Sequence, residues 1–155
     1  MKLLLAVDGS ACSNAAVEEV GRRPWPEGAE VRIISAFEPP PTLAMSEAWA
    51  PPKGYYEQME KMGHDRARQA VDDAAARLRQ IQGERLRVTS ETMRGLPSDA
   101  ILSEAERWGA ELIIVGSHGY SGWKRFWLGS VSHAIATNAK CSVEIVRTAQ
   151  GEEDG

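Results

Sequence analysis

The residues best suited to chemistry lie in a glycine- and serine-rich stretch between Gly116 and Ser130. This stretch follows a short apolar run and precedes a helical pattern, so the sequence predicts a loop that joins a strand to a helix. Glycines let a bulky phosphate approach the backbone, and a helix start offers N–H groups with a partial positive charge. Ser130 adds a hydroxyl group at that start. The stretch therefore predicts a site for a polyphosphate.

The glycine spacing in this stretch differs from two common phosphate-binding motifs. No Gly-x-x-x-x-Gly-Lys-Ser/Thr segment occurs, and Gly116, Gly119 and Gly122 lack the closely spaced first glycine pair of the dinucleotide fingerprint. What remains is Gly-x2-Gly-x9-Gly-Ser, which ends in Gly129 and Ser130. The pattern leaves open one structural alternative, a strand-to-helix turn that holds no ligand.

Apolar segments alternate with turn signals and predict the elements that position this loop. Strands are expected at residues 3–7, 31–37, 86–93, 112–115 and 143–146. Helices are expected to end before Pro24, at Gly83 and at Gly109, and a fourth is expected at 131–138. Strands that alternate with helices require crossover connections, so the predicted fold class is α/β with a doubly wound parallel sheet. Ligands of such sheets bind at the carboxyl ends of the strands.

Composition limits the class of protein. The 155 residues suffice for one domain, and a hydrophobic content of 43% suffices for a core. A net charge of −4 argues against binding to duplex nucleic acid. Cys12 and Cys141 match neither a zinc motif nor a disulfide framework, and no apolar run is long enough for a signal peptide or a membrane span. We therefore expect a cytoplasmic protein without a membrane partner.

Three further segments accompany the glycine motif in the same order along the chain. They are Val7-Asp8-Gly9-Ser10, Leu128-Gly129-Ser130-Val131-Ser132 and Val143-Glu144-Ile145-Val146. With these segments the chain resembles the universal stress protein family over almost its whole length. The resemblance implies a three-layer, Rossmann-like fold with five strands in the order 3-2-1-4-5. It also implies one domain over residues 1–148, with a proline-rich loop at 38–54, followed by an acidic tail at 149–155.

In the branch of the family that keeps this loop, the resemblance implies an ATP site. Asp8 and the backbone around Ala6 and Val7 would lie beside the nucleoside. Ala36, at the end of the second strand, would border adenine. Gly116 would lie under the ribose.

The resemblance assigns the phosphates to the loop and to the start of the following helix. Gly119 and Gly129 would let the loop close on the phosphates, to which Ser130, Val131 and Ser132 would donate hydrogen bonds. Mg2+ would be held through the phosphate oxygens, so no metal ligand is expected from the protein itself.

The loop also contains residues whose roles the motif leaves open. His118 has the chemistry of a general base, but the sequence places no nucleophile for it, so a loop donor or a pocket wall is favoured. Trp123 and Trp127 make the loop unusually aromatic, and Ser142 stands where a proline is expected from the resemblance. These departures leave the interaction surface of the protein undefined.

The resulting hypothesis is an ATP-binding regulatory module of the stress response with no catalytic residues. The alternatives are a weak ATPase or nucleotidyl-transfer enzyme on the same fold, and a stress protein dimer that binds no nucleotide. A homodimer is expected through the last strand, at residues 143–145, because an open sheet edge invites pairing. The competing alternative is a monomer in which the charge of Glu144 protects that edge.

Overall fold

The computed structural model describes residues 1–41, 51–119 and 128–148, which form five strands, four helices and one short 3₁₀ turn. The strands are β1 (Lys2–Ala6), β2 (Glu30–Phe37), β3 (Arg87–Arg94), β4 (Leu112–Gly116) and β5 (Ser142–Val146). The helices are α1 (Ala11–Arg22), α2 (Tyr55–Gln82), α3 (Pro97–Trp108) and α4 (Ser130–Asn138). The strand bounds lie within one residue of the predicted ones.

The strands form one parallel sheet in the order β3-β2-β1-β4-β5, which confirms the predicted fold class and strand order. In the central strand, Leu5 lies opposite Ile33 of β2 and Ile114 of β4. Leu3, Leu4 and Leu5 have no solvent-exposed surface, because helices cover both faces of the sheet. The unbroken apolar run at the amino terminus therefore corresponds to a strand that is covered by helices on both faces.

Two apolar clusters, one on each face of the sheet, make up the three layers. On one face α1 and α2 contribute Val17 and Leu78, which pack in the same cluster as Leu3. On the other face α3 and α4 contribute Ile101 and Ile135, which pack with Leu4, Ile34 and Ile113. Because β1 continues into α1 and β4 leads towards α4, the chain leaves neighbouring strands in opposite directions.

Local sequence explains where the helices begin and end. The Ser10 hydroxyl accepts a hydrogen bond from the Ser13 N–H group at 3.3 Å, so Ser10 is the cap of α1. The Ser13 hydroxyl instead accepts from the N–H groups of Asp8 and Gly9, at 3.3 and 3.1 Å. Helix α3 ends at Gly109, whose φ of 72° lies in the left-handed region that glycine adopts without strain.

Two carboxylates of the described residues have arginine partners that are distant in sequence or lie one helical turn away. Glu104 is fully buried under the sheet, where it accepts hydrogen bonds from Arg32 and Arg107. Glu144 on β5 accepts two hydrogen bonds from the guanidinium group of Arg23, both at 2.6 Å. The charge of Glu144 is therefore directed at the end of α1. Edge protection by Glu144, the alternative to the dimer, stays a prediction.

Several sequence expectations meet the limits of the described residues. Much of the proline-rich loop, the residues Trp123 and Trp127, and the tail 149–155 lie outside them. Within the described ranges, no helix combines the length and the apolarity needed to cross a bilayer. Cys12 and Cys141 have free thiols and are half-buried.

Candidate functional site

A cavity of about 450 Å³ opens where the carboxyl ends of β1 and β4 lie side by side. These two strands occupy the point at which the strand order reverses, because β1 is followed in the sheet by β4. The connections after them run to opposite faces of the sheet and leave a crevice between them. Parallel α/β sheets bind their ligands at this position.

All eleven residues that were expected at the nucleotide line this one cavity. They are Ala6, Val7, Asp8, Ala36, Gly116, His118, Gly119, Gly129, Ser130, Val131 and Ser132. The fold thus brings together segments that are far apart in the sequence. Their contact with a ligand remains a prediction.

Six lining residues were missed by sequence reasoning: Ser13, Ile34, Pro97, Ile101, Val115 and Leu128. Val115 and Leu128 adjoin motif residues, and that adjacency could have identified them. The others are core-type or helix-start residues, and their types carry no chemical signal.

Asp8 stands at the junction of β1 and α1, with its carboxylate shared between the turn and the cavity. One oxygen, Oδ1, accepts a hydrogen bond from the Ser10 N–H group at 2.9 Å. The other, Oδ2, faces Gly119 so closely that a Cβ on this glycine would lie 2.6 Å away from it. The turn therefore holds Asp8 in place, and Oδ2 is directed at the start of the glycine loop.

Neighbouring atoms lie so close to the glycines of the motif that a side chain there would meet them. A Cβ on Gly116 would lie 2.7 Å from two backbone atoms of α1, the carbonyl carbon of Cys12 and the nitrogen of Ser13. A Cβ on Gly129 would lie 3.2 Å from the Ser117 oxygen. Neither Gly119 nor Gly129 has a positive φ, so what favours glycine at these two positions is space and not the backbone angle.

Helix α4 begins at the cavity with N–H groups available to a ligand. Gly129 is its N-terminal cap and offers no side chain, so no side chain caps the helix. The first N–H groups of a helix have no partner within it, and they carry the positive end of the helix dipole. An anion held here would meet the N–H groups of Ser130, Val131 and Ser132, as the motif predicts.

The hydroxyl of Ser132 is engaged within the protein. Its side chain is buried, and its hydroxyl lies 3.0 Å from the carbonyl oxygens of both Ser117 and Gly129, to which it donates. The hydroxyl proton is therefore used within the protein. Ser132 can offer a ligand its backbone N–H group, whereas Ser130, which is exposed, can also offer its hydroxyl.

The dipeptide Ser117-His118 forms a firmly anchored wall of the cavity. The Ser117 N–H group donates to the Val146 oxygen of β5 at 2.8 Å, and the Ser117 oxygen accepts from the Gly129 N–H group at 2.8 Å. The His118 oxygen accepts from the Ser10 hydroxyl at 3.3 Å. Since three different elements hold this dipeptide, its position is set by the fold on both sides of the crevice.

The Ser117 side chain joins this wall to Cys12 on α1. The Ser117 hydroxyl lies 3.5 Å from the Cys12 sulfur and 3.1 Å from Nδ1 of His118. Burial raises the pKa of the Cys12 thiol, but hydrogen bonds from Ser117, from Thr148 and from the His118 backbone outweigh it, so the pKa is lowered. For the Cys141 thiol burial outweighs hydrogen bonds from its own backbone and from that of Ile113, so its pKa is raised.

The charge distribution at the cavity favours binding of a ligand through backbone N–H dipoles and not through basic side chains. Among the described lining residues, Asp8 carries the one formal charge, and there is no lysine or arginine. The described part of the chain also contains no group of three or more His, Cys, Asp or Glu side chains placed to hold a metal ion. Ser117 is 2% exposed and its hydroxyl is directed at Cys12, so it is not placed as a nucleophile for His118 to activate.

The chain is similar to known proteins along its whole described length. It is 28% identical to the universal stress protein YxiE of Bacillus subtilis over 150 residues, which are 94% of this chain and 98% of that protein. A universal stress protein solved in complex with cAMP superposes with a TM-score of 0.68 at 23% identity, covering 96% of this chain and 98% of that one. A universal stress protein family member from Arabidopsis thaliana with AMP bound gives a TM-score of 0.67 at 15% identity, covering 97% and 93%.

These similarities agree with a match to a family model. The model described as the universal stress protein family matches residues 1–147, which is nearly the whole chain. The strand order of the sheet and the motif residues that surround the cavity fit this assignment. The chain belongs to the universal stress protein family.

Proposed function

We propose that this protein binds an adenine nucleotide, with ATP as the specific candidate, in the cavity at the carboxyl ends of β1 and β4. The observation that carries the proposal is the convergence of all eleven motif residues on this cavity, together with the uncapped start of α4. Two structural neighbours were solved with adenine nucleotides, one with cAMP and one with AMP, which supports adenine as the base.

The cavity wall divides into an apolar part and a polar part. Ala36 and Pro97, which are partly exposed, supply apolar surface on which the flat face of a purine can pack, and the buried side chains of Ile34, Ile101 and Val115 lie behind them. The start of α4 supplies N–H donors for phosphate oxygens. We place the base against the apolar part and the phosphates at α4, with the sugar between them.

A triphosphate fits the donor set at α4. The N–H groups of Ser130, Val131 and Ser132 and the hydroxyl of Ser130 would hold phosphate oxygens. Mg2+ would be carried by those oxygens, since the described residues offer it no cluster of ligands. When bound, Mg2+ supplies neutralisation of the phosphate charge.

We propose that the nucleotide acts as a regulatory signal. Gly119 and Gly129 lie at the two ends of the glycine loop and both line the cavity, so a ligand that contacts them would couple nucleotide occupancy to this loop, on which we propose that partner binding depends. We also propose a homodimer through β5. This strand lies at the edge of the sheet, and the charge of its Glu144 side chain is paired with Arg23, which lowers the cost of bringing a second strand to that edge.

The test combines retained ligand with direct binding. Denaturing the purified protein and chromatographing the supernatant identifies any bound nucleotide, and calorimetric titration compares ATP, AMP and cAMP with GTP. We expect an adenine nucleotide to bind and GTP to bind more weakly. A folded protein that binds none of the adenine nucleotides refutes the proposal and favours the dimer without a nucleotide.

The same preparation separates a regulatory module from an enzyme. Slow hydrolysis is compatible with a binding module, because loosely positioned water can attack a bound triphosphate. Turnover of ATP at about 1 per second or faster lies in the ordinary enzyme range and would favour the ATPase alternative.

A further inference from the structure

We infer that His118 is a specificity residue for the ribose, and that a hydrogen-bonded chain from Cys12 through Ser117 holds its imidazole as an acceptor. The inference deepens the proposed function and rests on it, because it requires a nucleotide in the same cavity. The chain consists of three side chains joined by two contacts, 3.5 Å from Ser117 to Cys12 and 3.1 Å from Ser117 to His118.

The chain begins at the Cys12 sulfur, which lies among donors. The Ser117 hydroxyl donates to it, and hydrogen bonds from Thr148 and from the His118 backbone reach it as well. The single proton of the Ser117 hydroxyl is therefore directed at Cys12.

The next link follows from the hydrogen-bonding capacity of a hydroxyl. With its proton used on Cys12, the Ser117 oxygen can only accept from the imidazole nitrogen Nδ1 of His118. Ser117 is 2% exposed, so water has little access to compete for this oxygen. Nδ1 thus carries the proton, and in the neutral ring Nε2 is left with a lone pair.

The position of His118 in the cavity suits a sugar hydroxyl as the donor to this acceptor nitrogen. His118 and Asp8 both line the cavity, and Oδ2 of Asp8 faces Gly119, the residue after His118, so the same cavity holds two acceptors. Phosphate oxygens are acceptors and would be repelled by this carboxylate. Ribose hydroxyls are donors, and the two adjacent hydroxyls of a ribose fit a pair of neighbouring acceptors. We assign this part of the cavity to the ribose, with His118 accepting from one hydroxyl.

The first experiment reads the tautomer without any nucleotide. The protein contains three histidines, so the signals in long-range 1H–15N spectra at pH 8 are readily assigned with single histidine variants. We expect the Nδ1–H tautomer at His118. Cys12→Ala removes the acceptor, frees the Ser117 hydroxyl to donate to Nδ1, and should shift the ring towards Nε2–H. The matched variant Cys141→Ala should leave the spectrum of His118 unchanged.

The second experiment measures discrimination between sugars by titrating AMP, 2′-deoxy-AMP and 3′-deoxy-AMP. At least one deoxy analogue should bind about tenfold more weakly than AMP, the effect of one lost hydrogen bond that leaves its acceptor unpaired. His118→Phe should bring that ratio close to one, and His118→Gln, which retains an acceptor, should restore part of it. Cys12→Ala should lower the ratio as well, whereas Cys141→Ala should keep it.

The outcomes separate this inference from the proposed function. An Nε2–H tautomer in the unmodified protein, or no response of the ring to Cys12→Ala, overturns the chain of hydrogen bonds. Equal binding of AMP and both deoxy analogues overturns the ribose contact while leaving nucleotide binding intact. Discrimination that persists in His118→Phe assigns the sugar to another residue and also overturns the inference. Only a folded protein that fails to bind AMP itself counts against the proposed function.

Discussion

Gly116→Ala tests whether β4 and α1 meet as closely as the site requires. The added Cβ would lie 2.7, 2.7 and 2.9 Å from the Cys12 carbonyl carbon, the Ser13 nitrogen and the Cys12 Cβ. Comfortable contacts between non-bonded carbon atoms are about 3.5–4.0 Å, so each overlap approaches 1 Å. Two of the three atoms are backbone of the first turn of α1 and cannot rotate away. Relief requires β4 to move away from α1.

We expect this substitution to cost about 2–3 kcal/mol in the free energy of unfolding, the upper part of the range for overpacking. For a domain of this size, that loss lowers the melting temperature by about 4–12 °C. Urea titration followed by far-UV circular dichroism measures the first quantity, and thermal melting measures the second. Both readouts are independent of any ligand.

Gly63→Ala is the matched control and should have the opposite sign. Gly63 lies within α2, and a Cβ there would meet Phe37 at 3.6 and 3.8 Å, which is ordinary contact. Alanine has the higher helix propensity, so this variant should gain about 0.5–1 kcal/mol. The reasoning is refuted if Gly116→Ala remains within about 0.5 kcal/mol of the unmodified protein while Gly63→Ala shows the expected gain.

Four further predictions address the site, the core, the sheet edge and the thiols. Gly129→Val should abolish ATP binding in calorimetry while the circular dichroism spectrum is retained, and unchanged affinity would reject the phosphate assignment. Glu104→Gln should lower the free energy of unfolding in urea by about 1–3 kcal/mol, because a buried carboxylate with two arginine partners loses its charge; a neutral effect would contradict this. Val143→Pro should remove an edge N–H group and convert a dimer into a folded monomer in light scattering, and a dimer that persists would place the interface elsewhere. At pH 8 iodoacetamide should label Cys12 faster than Cys141, since hydrogen bonds lower the pKa of the Cys12 thiol and burial raises the pKa of the Cys141 thiol. The difference in rate should shrink as the pH rises and both thiols ionise. Equal rates at pH 8 would contradict these pKa directions.

The fold class and the strand ends that carry the motif residues could be predicted because their sequence signals are local. An apolar run that ends in Asp8, and another that ends in Gly116, identify strand ends. In a parallel sheet such ends meet at one edge. The strand order that places β1 beside β4, and the assignment of the motif residues to one site, came from the family resemblance. The bounds of the strands followed from the same contrast between apolar and turn-forming residues.

The remaining features depend on partners that are distant in sequence. Glu144 is 121 positions from Arg23, so its ion pair with this arginine has no local signal in the sequence. Ser132 has the residue type of a phosphate donor, but the Ser117 oxygen takes its proton. Cys12 has the type of a small core residue, and only the fold surrounds its sulfur with donors. Residue type states what a side chain can donate or accept, and tertiary structure decides which group receives it.

The hydrogen bond between the Gly129 N–H group and the Ser117 oxygen, at 2.8 Å, closes a ring of backbone at the edge of the cavity. The two ends of the enclosed segment are thereby held together whatever residues lie between them. Because the entropy of closing a loop grows only with the logarithm of its length, doubling the segment would cost about 0.6 kcal/mol. We therefore expect this position to accept grafted sequences, such as a recognition peptide or a reporter tag, without loss of the sheet. The same tolerance would let relatives exchange binding partners by changing one segment while the scaffold beneath it stays as it is.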